Sequence, residues 1–119
     1  MIKLVCHFRA KPGMSFEDFR DYYENRHVPL IRRLLPPMAD YRRSYVLKDG
    51  SFAPGHVETA TPGPDFDVVT ECWFEDQAAY DAMLARTQDA EIGGEIARDE
   101  ANFMDRDVML MYLVDERRT

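Results

Sequence analysis

The chain has 119 residues, 45% hydrophobic and 31% charged, with only 6 Gly and 7 Pro, which describes one domain spanning 1–119 with a core of its own. Its net charge of −7 argues against nucleic acid as a partner, because such binders present basic surface to phosphates. No apolar run nears the ~20 residues of a membrane span, and Met1-Ile2-Lys3 begins no secretory leader. The expected location is the cytoplasm, without a membrane partner. The charge is uneven: ten Lys or Arg face seven acids over residues 1–60, and five face fifteen over 61–119. Contact between oppositely charged halves of neighbouring subunits fits this, and so does a solvated acidic face.

Ile2 to Arg9 is apolar and β-branched, the mark of a first strand, and Lys11-Pro12-Gly13 makes a turn. Ser15 with Asp18 three residues on is a helix start, and the helical pattern runs from Phe16 to about Leu35, where Pro36-Pro37 ends it. Ala39 to Lys48 reads as a second strand, followed by a polar Pro/Gly-rich loop to about Asp65, long enough to act as a lid and holding His56. Phe66 to Phe74 is a third strand. Asp76 then caps a helix to about Arg86, and another helical stretch covers Asp89 to Met104, weakened by Gly93-Gly94. Val108 to Val114 is the last strand. The order β-α-β-β-α-β is the α+β, ferredoxin-like pattern: a four-stranded antiparallel sheet with helices on one face.

The last strand, Val108-Met109-Leu110-Met111-Tyr112-Leu113-Val114, is apolar on both faces, as strands covered on both sides are. Helices cover one face of such a sheet, so a second copy of the chain is the economical cover for the other. A homodimer is expected, with two sheets forming a barrel and the helices outside. A greasy strand at the centre of a monomer is the plainer alternative.

On a helical wheel with Phe16 at zero, Phe19, Tyr23, Leu30, Ile31 and Leu34 fall within about 60° of one line. His27 falls at about +20°, where the pattern calls for Leu or Ile. An imidazole there must find hydrogen bonds or face a cavity. Pro29 removes a helical donor two residues on, so a kink beside His27 is expected. In the last helical stretch Asp99 shares the stripe of Ile92, Ile96 and Phe103, and Glu100 lies at its edge. If Asp99 meets His27, its carboxylate selects one tautomer and raises the ring's basicity, which makes a general base. A satisfied core histidine, and an Asp99 paired with Arg106, are the plainer readings.

The other candidates carry less. Three scattered histidines (His7, His27 and His56) lack metal-ligand spacing, so no metal is expected. Cys6 and Cys72 read as small buried hydrophobes, and Arg42-Arg43 as surface ion-pairing groups.

The segment Phe16-Glu17-Asp18-Phe19-Arg20-Asp21-Tyr22-Tyr23-Glu24-Asn25-Arg26-His27-Val28-Pro29-Leu30 resembles the signature helix of EthD-domain proteins, and Ile96-Ala97-Arg98-Asp99-Glu100-Ala101-Asn102-Phe103-Met104-Asp105 resembles that family's second recurrent segment. The resemblance implies a dimeric α+β barrel with a pocket between helices and sheet. The wider superfamily holds isomerases, cofactor-free monooxygenases, polyketide cyclases and some haem enzymes. EthD itself is associated with a bacterial ether-degradation system that uses a haem monooxygenase. Fungal relatives act as dehydratases or decarboxylases, with the family histidine as acid/base; carried over, that role falls on His27, with Tyr23 and Asp99 as helpers.

The expectation is a small enzyme without a cofactor, doing acid/base chemistry of dehydratase, isomerase, cyclase or oxygenase type on an aromatic or enolisable compound. His27 would move the proton, Asp99 orient it and Tyr23 donate to a developing enolate. Phe19, Leu30, Trp73, Phe103 and Tyr45 would form the substrate walls. Three rivals stand beside it: a non-catalytic metabolite-binding protein serving a partner oxygenase, a haem protein with His27 as axial ligand, and, against the acidic charge, an RNA-recognition module of the same strand order.

Overall fold

A computed structural model describes residues 1–50, 52–58 and 63–119. Strands β1 (Ile2–Phe8), β2 (Asp40–Tyr45), β3 (Val68–Phe74) and β4 (Leu110–Val114) form one antiparallel sheet in the order β2-β3-β1-β4. Helices α1 (Phe16–Tyr22) and α2 (Val28–Leu34) form one interrupted helix, and α3 (Gln77–Gln88) and α4 (Ala90–Glu100) follow β3. The split β-α-β-β-α-β order expected of the sequence is the order observed.

Period-two alternation assigns the faces. Cys6 and Phe8 of β1, with Val68, Thr70, Cys72 and Phe74 of β3, are buried toward the helices. The opposite face is polar at one end. There the Lys3 ammonium lies 2.7 Å from Glu71, 2.6 Å from Glu116 and 4.5 Å from the Trp73 ring centroid. Two buried clusters fill the helix side, one around Phe19, Tyr23, Val68 and Phe103, the other around Ile31, Phe74, Met83 and Ile96.

Several element boundaries differ from the sequence reading. β2 stops at Tyr45 instead of Lys48; beyond it Lys48–Gly50 is a 3₁₀ turn and Leu47 is exposed. β3 starts at Val68 instead of Phe66. β4 starts at Leu110 because Arg106–Val108 form a 3₁₀ turn, held by the Asp105 side chain accepting from the Asp107 N–H. The lid expected of the 49–65 loop falls partly on residues 51 and 59–62, outside the described residues; His56 in that loop is exposed.

β4 is an edge strand, hydrogen-bonded to β1 alone, and all five of its residues are exposed in the single chain. The double cover inferred from its apolarity is therefore not supplied by the chain itself. Met111 and Leu113 face the helix side, where they border a cavity. Leu110, Tyr112 and Val114 lie on the outer face and are exposed, with Tyr112 Oη 2.9 Å from His7 Nε2.

Gly93-Gly94 do not weaken the second helical stretch. α4 runs unbroken through both, its N-terminus capped by Asp89, whose side chain accepts from the Glu91 and Ile92 N–H groups. A Cβ on Gly93 would lie 2.2 Å from the Thr87 carbonyl oxygen, so only glycine lets α4 cross the end of α3 at this distance. At Gly94 an added Cβ would meet only the Arg98 guanidinium end, at 3.2 Å. Gly93→Ala should therefore cost about 1–3 kcal/mol of stability in denaturant unfolding, while Gly94→Ala should be neutral or stabilising by up to about 1 kcal/mol. Equal effects at the two positions would refute the close-approach reading.

Candidate active site

The site is made by an irregular turn. Ser15 caps α1 by accepting from the Asp18 N–H at 3.1 Å, and the helix then runs regularly to Tyr22. Over Tyr23–His27 it widens into a π-helical turn, in which the Val28 N–H reaches back five residues to the Tyr23 carbonyl. Pro29, exposed in the first turn of α2, has no N–H to continue the ladder. The kink expected of Pro29 thus appears as an inserted residue, a distortion common at functional sites.

The extra residue rotates everything beyond it by about one residue's 100°. Val28, Ile31 and Leu35 consequently face inward and are buried. Leu30, placed on the buried stripe by an ideal wheel, turns away and is half-exposed. Leu30 is a correction: it does not line the cavity.

His27 is buried, at 3% exposure. Its Nδ1 lies 2.7 Å from Asp99 Oδ2 on α4, the contact the sequence raised as a possibility. A carboxylate can only accept, so Nδ1 carries the proton and Nε2 keeps its lone pair. Nε2 has no hydrogen-bond partner among the described residues, nor is it sealed from open space. Asp99 is itself held. Its Oδ1 accepts from Tyr22 Oη at 2.7 Å, and Tyr22 Oη accepts from Asn102 Nδ2 at 2.9 Å. The Phe103 ring packs 4.9 Å from the imidazole and stacks on Tyr22 at 4.8 Å between centroids.

Asp99 does not leave the ring more basic than a free histidine. Burial penalises the imidazolium more than the Asp99 hydrogen bond and charge favour it, so the pKa lies below its usual value. At neutral pH His27 is an uncharged imidazole whose Nε2 carries a lone pair, the form a general base requires.

The imidazole borders a cavity of about 640 Å³ between helices and sheet. Its walls are mostly apolar, drawing Leu4 and Cys6 from β1, Cys72 from β3, Ile96 from α4 and Met111 and Leu113 from β4. Burial pushes the thiols of Cys6 and Cys72 up to about 12, so they are neutral floor groups, as their composition suggested.

The remaining candidates disperse. Tyr23 borders the cavity, but its hydroxyl is engaged with Thr70 Oγ1 at 2.6 Å, and burial pushes its pKa well up. Phe19 and Phe103 are fully buried beside the site and are not part of the cavity wall. Tyr45 also stands off the wall, its hydroxyl donating at 2.6 Å to Glu24, which Arg43 holds through two further hydrogen bonds. Trp73 is on the opposite face of the sheet, where its Nε1 donates to Glu116 at 2.9 Å. A strand tells which residues share a face, not which face the helices cover, and that misplaced Trp73. Tyr22, which the wheel sets off the stripe, and Glu100 and Arg106, which border the cavity, were not singled out as site residues. The two neighbouring tyrosines one turn before His27 were the available signal for Tyr22.

An antiparallel sheet in this order, with helices on one face and a histidine-bearing cavity between the layers, defines a ferredoxin-like α+β protein. Residues 11–107 match the family model of the EthD domain. The chain belongs to the EthD family. Among solved structures it is similar to an EthD family protein from Bacillus halodurans (16% identity, 98% of this chain and 100% of that one, TM-score 0.63). It is also similar to an EthD-like protein from Ralstonia eutropha (21% identity, 96% and 89% covered, TM-score 0.64). A third is a dimeric ferredoxin-like protein from Thermobifida fusca (14% identity, 95% and 88% covered, TM-score 0.53). No curated protein matches the sequence significantly. Among the described residues, no helix is long and apolar enough to cross a membrane.

Because Asp99 raises the His27 pKa against burial, Asp99→Asn should lower it further. Titration of the imidazole by carbon-labelled histidine NMR checks the direction. A pKa that rises or stays unchanged would contradict the balance described.

Proposed function

We propose that the protein is a cofactor-independent acid/base enzyme acting on an aromatic or enolisable small molecule, with Nε2 of His27 as the group that takes the proton. The observation that carries this reading is a neutral imidazole oriented through Nδ1 by Asp99, with an Nε2 that has no partner among the described residues, beside a large apolar cavity. The carboxylate holds the tautomer and stabilises the imidazolium formed when Nε2 accepts a proton. The apolar walls desolvate a hydrophobic substrate and bring its acidic hydrogen to the ring. Family membership supports the reading, since the histidine lies in the segment that resembles the family's signature helix.

A bicyclic enolisable ketone, 2-tetralone, tests it without knowledge of the natural substrate. Exchange of its α-hydrogens in D₂O, followed by proton NMR, should be accelerated by the wild-type protein. The acceleration should fall by about 10²–10⁴-fold in His27→Gln, with the melting temperature little changed. Equal rates for the two proteins would overturn the assignment.

We also propose that the working form is a homodimer whose partner covers the outer face of β4. The uncovered Leu110, Tyr112 and Val114 support this, as does the dimeric ferredoxin-like neighbour. Analytical ultracentrifugation should give twice the chain mass for wild type and the single-chain mass for Leu110→Glu. A monomeric wild type would refute it.

A further inference from the structure

Among the residues that border the cavity, the side chains of His27, Glu100 and Arg106 are the ones drawn from Asp, Glu, Lys, Arg and His. Glu100 directly follows Asp99 on α4, so the two carboxylates point about 100° apart. Asp99 meets the imidazole from behind, and Glu100 enters the cavity. The Glu100 side chain is 12% exposed, and its one ionic contact among the described residues is Arg106 Nε at 3.4 Å, a looser pairing than the 2.6–3.1 Å bridges elsewhere among them. A carboxyl group drawn out of water without a tight partner costs stability. Such a cost is characteristic of groups kept for chemistry.

We propose that Glu100 is the second proton-carrying residue of this site, serving as the acid that complements His27 on a substrate with an enolisable carbonyl. The assignment rests on the reading of His27 as the base. In the step it implies, the C–H bond next to the carbonyl breaks and its proton goes to His27 Nε2. The electron pair left on carbon forms the C=C bond, and the carbonyl oxygen takes the Glu100 proton to form O–H. The products are an enol, an imidazolium and a carboxylate, so protons and electrons balance with no oxidant or reductant.

The surroundings suit the acid role. Burial pushes the Glu100 carboxyl up, the Arg106 guanidinium pulls it partly back down, and the charge of Asp99 adds to the upward push. Among the described residues, the other titratable groups bordering the cavity are His27 on the π turn, uncharged at neutral pH, Cys6 on β1 and Cys72 on β3, whose thiols burial keeps protonated, and the phenols of Tyr23, Tyr41, Tyr80 and Tyr112. Arg106 is a positioning residue. It is about half-exposed, outside the packed core, and tunes the proton affinity of Glu100 without touching the reacting carbon.

The pH profile of 2-tetralone exchange, corrected for buffer-catalysed exchange, tests the proposal. In the wild type the rate should pass through a maximum with pH, because the step needs His27 unprotonated and Glu100 protonated together. Glu100→Gln keeps the shape and a hydrogen-bond donor but does not titrate. It should be slower by on the order of 10²-fold at the optimum, lose the alkaline fall and keep the acid one. Arg106→Gln, which leaves the carboxyl in place, should move the alkaline fall to higher pH. An alkaline fall that persists in Glu100→Gln, or that stays put in Arg106→Gln, overturns the role of Glu100 while the base reading stands. Exchange as fast in His27→Gln as in wild type removes the base reading itself.

Discussion

One part-buried hydrogen bond, from His27 Nδ1 to Asp99 Oδ2 across the gap between the first helix and the last, organises the candidate site. It exists because the helix opens into a π turn at Tyr23–His27. A regular helix with proline at position 29 would lose a hydrogen bond and clash with a carbonyl. Inserting one residue absorbs that misfit, turns Val28, Ile31 and Leu35 inward, and leaves the imidazole facing α4. The carboxylate then needs its own restraint, which Tyr22 and Asn102 supply. Each member of the chain Asn102–Tyr22–Asp99–His27 limits the freedom of the next, so the ring is positioned before any ligand arrives.

Burial and charge compete at this ring, and the outcome decides what it can do. Were Asp99 to dominate, the imidazole would be a resting cation with no lone pair to offer. Desolvation prevails, so the ring rests neutral while the carboxylate remains in place to stabilise the cation once formed. The same low-polarity surroundings raise Glu100 and keep the thiols of Cys6 and Cys72 protonated. A single physical cause, burial between helices and sheet, shifts His27, Glu100, Cys6 and Cys72 toward their neutral forms.

The cavity also accounts for part of an apparent excess of apolar residues. The last strand is greasy on both faces for two separate reasons. Met111 and Leu113 border the cavity, and Leu110, Tyr112 and Val114 form an open patch at the sheet edge. The other end of that outer face is tied up in polar contacts among Lys3, Glu71, Trp73 and Glu116. The uncovered part is thus confined to one edge, where unpaired backbone groups also wait for a partner.

What the amino-acid order determined was whatever depends on neighbours along the chain. Strand alternation, caps at Ser15 and Asp76, the break at Pro36-Pro37 and the order of elements follow from contacts a few residues apart, and all were legible. An inward histidine beside a helix-breaking proline was legible too, because a polar side chain on an apolar stripe stands out locally. What only the tertiary structure decided was everything that depends on how one element lies against another. The extra residue of the π turn shifts the register by an amount no ideal wheel contains, which is why Leu30 left the wall. Trp73 landed on the far side of the sheet because alternation fixes two faces without naming either. Gly93 looked like a weakness until the passage of α4 over α3 showed a position with no room for a Cβ. Distance along the chain carries no record of distance in space, and the pairing of His27 with Asp99, 72 residues apart, is a fact of packing.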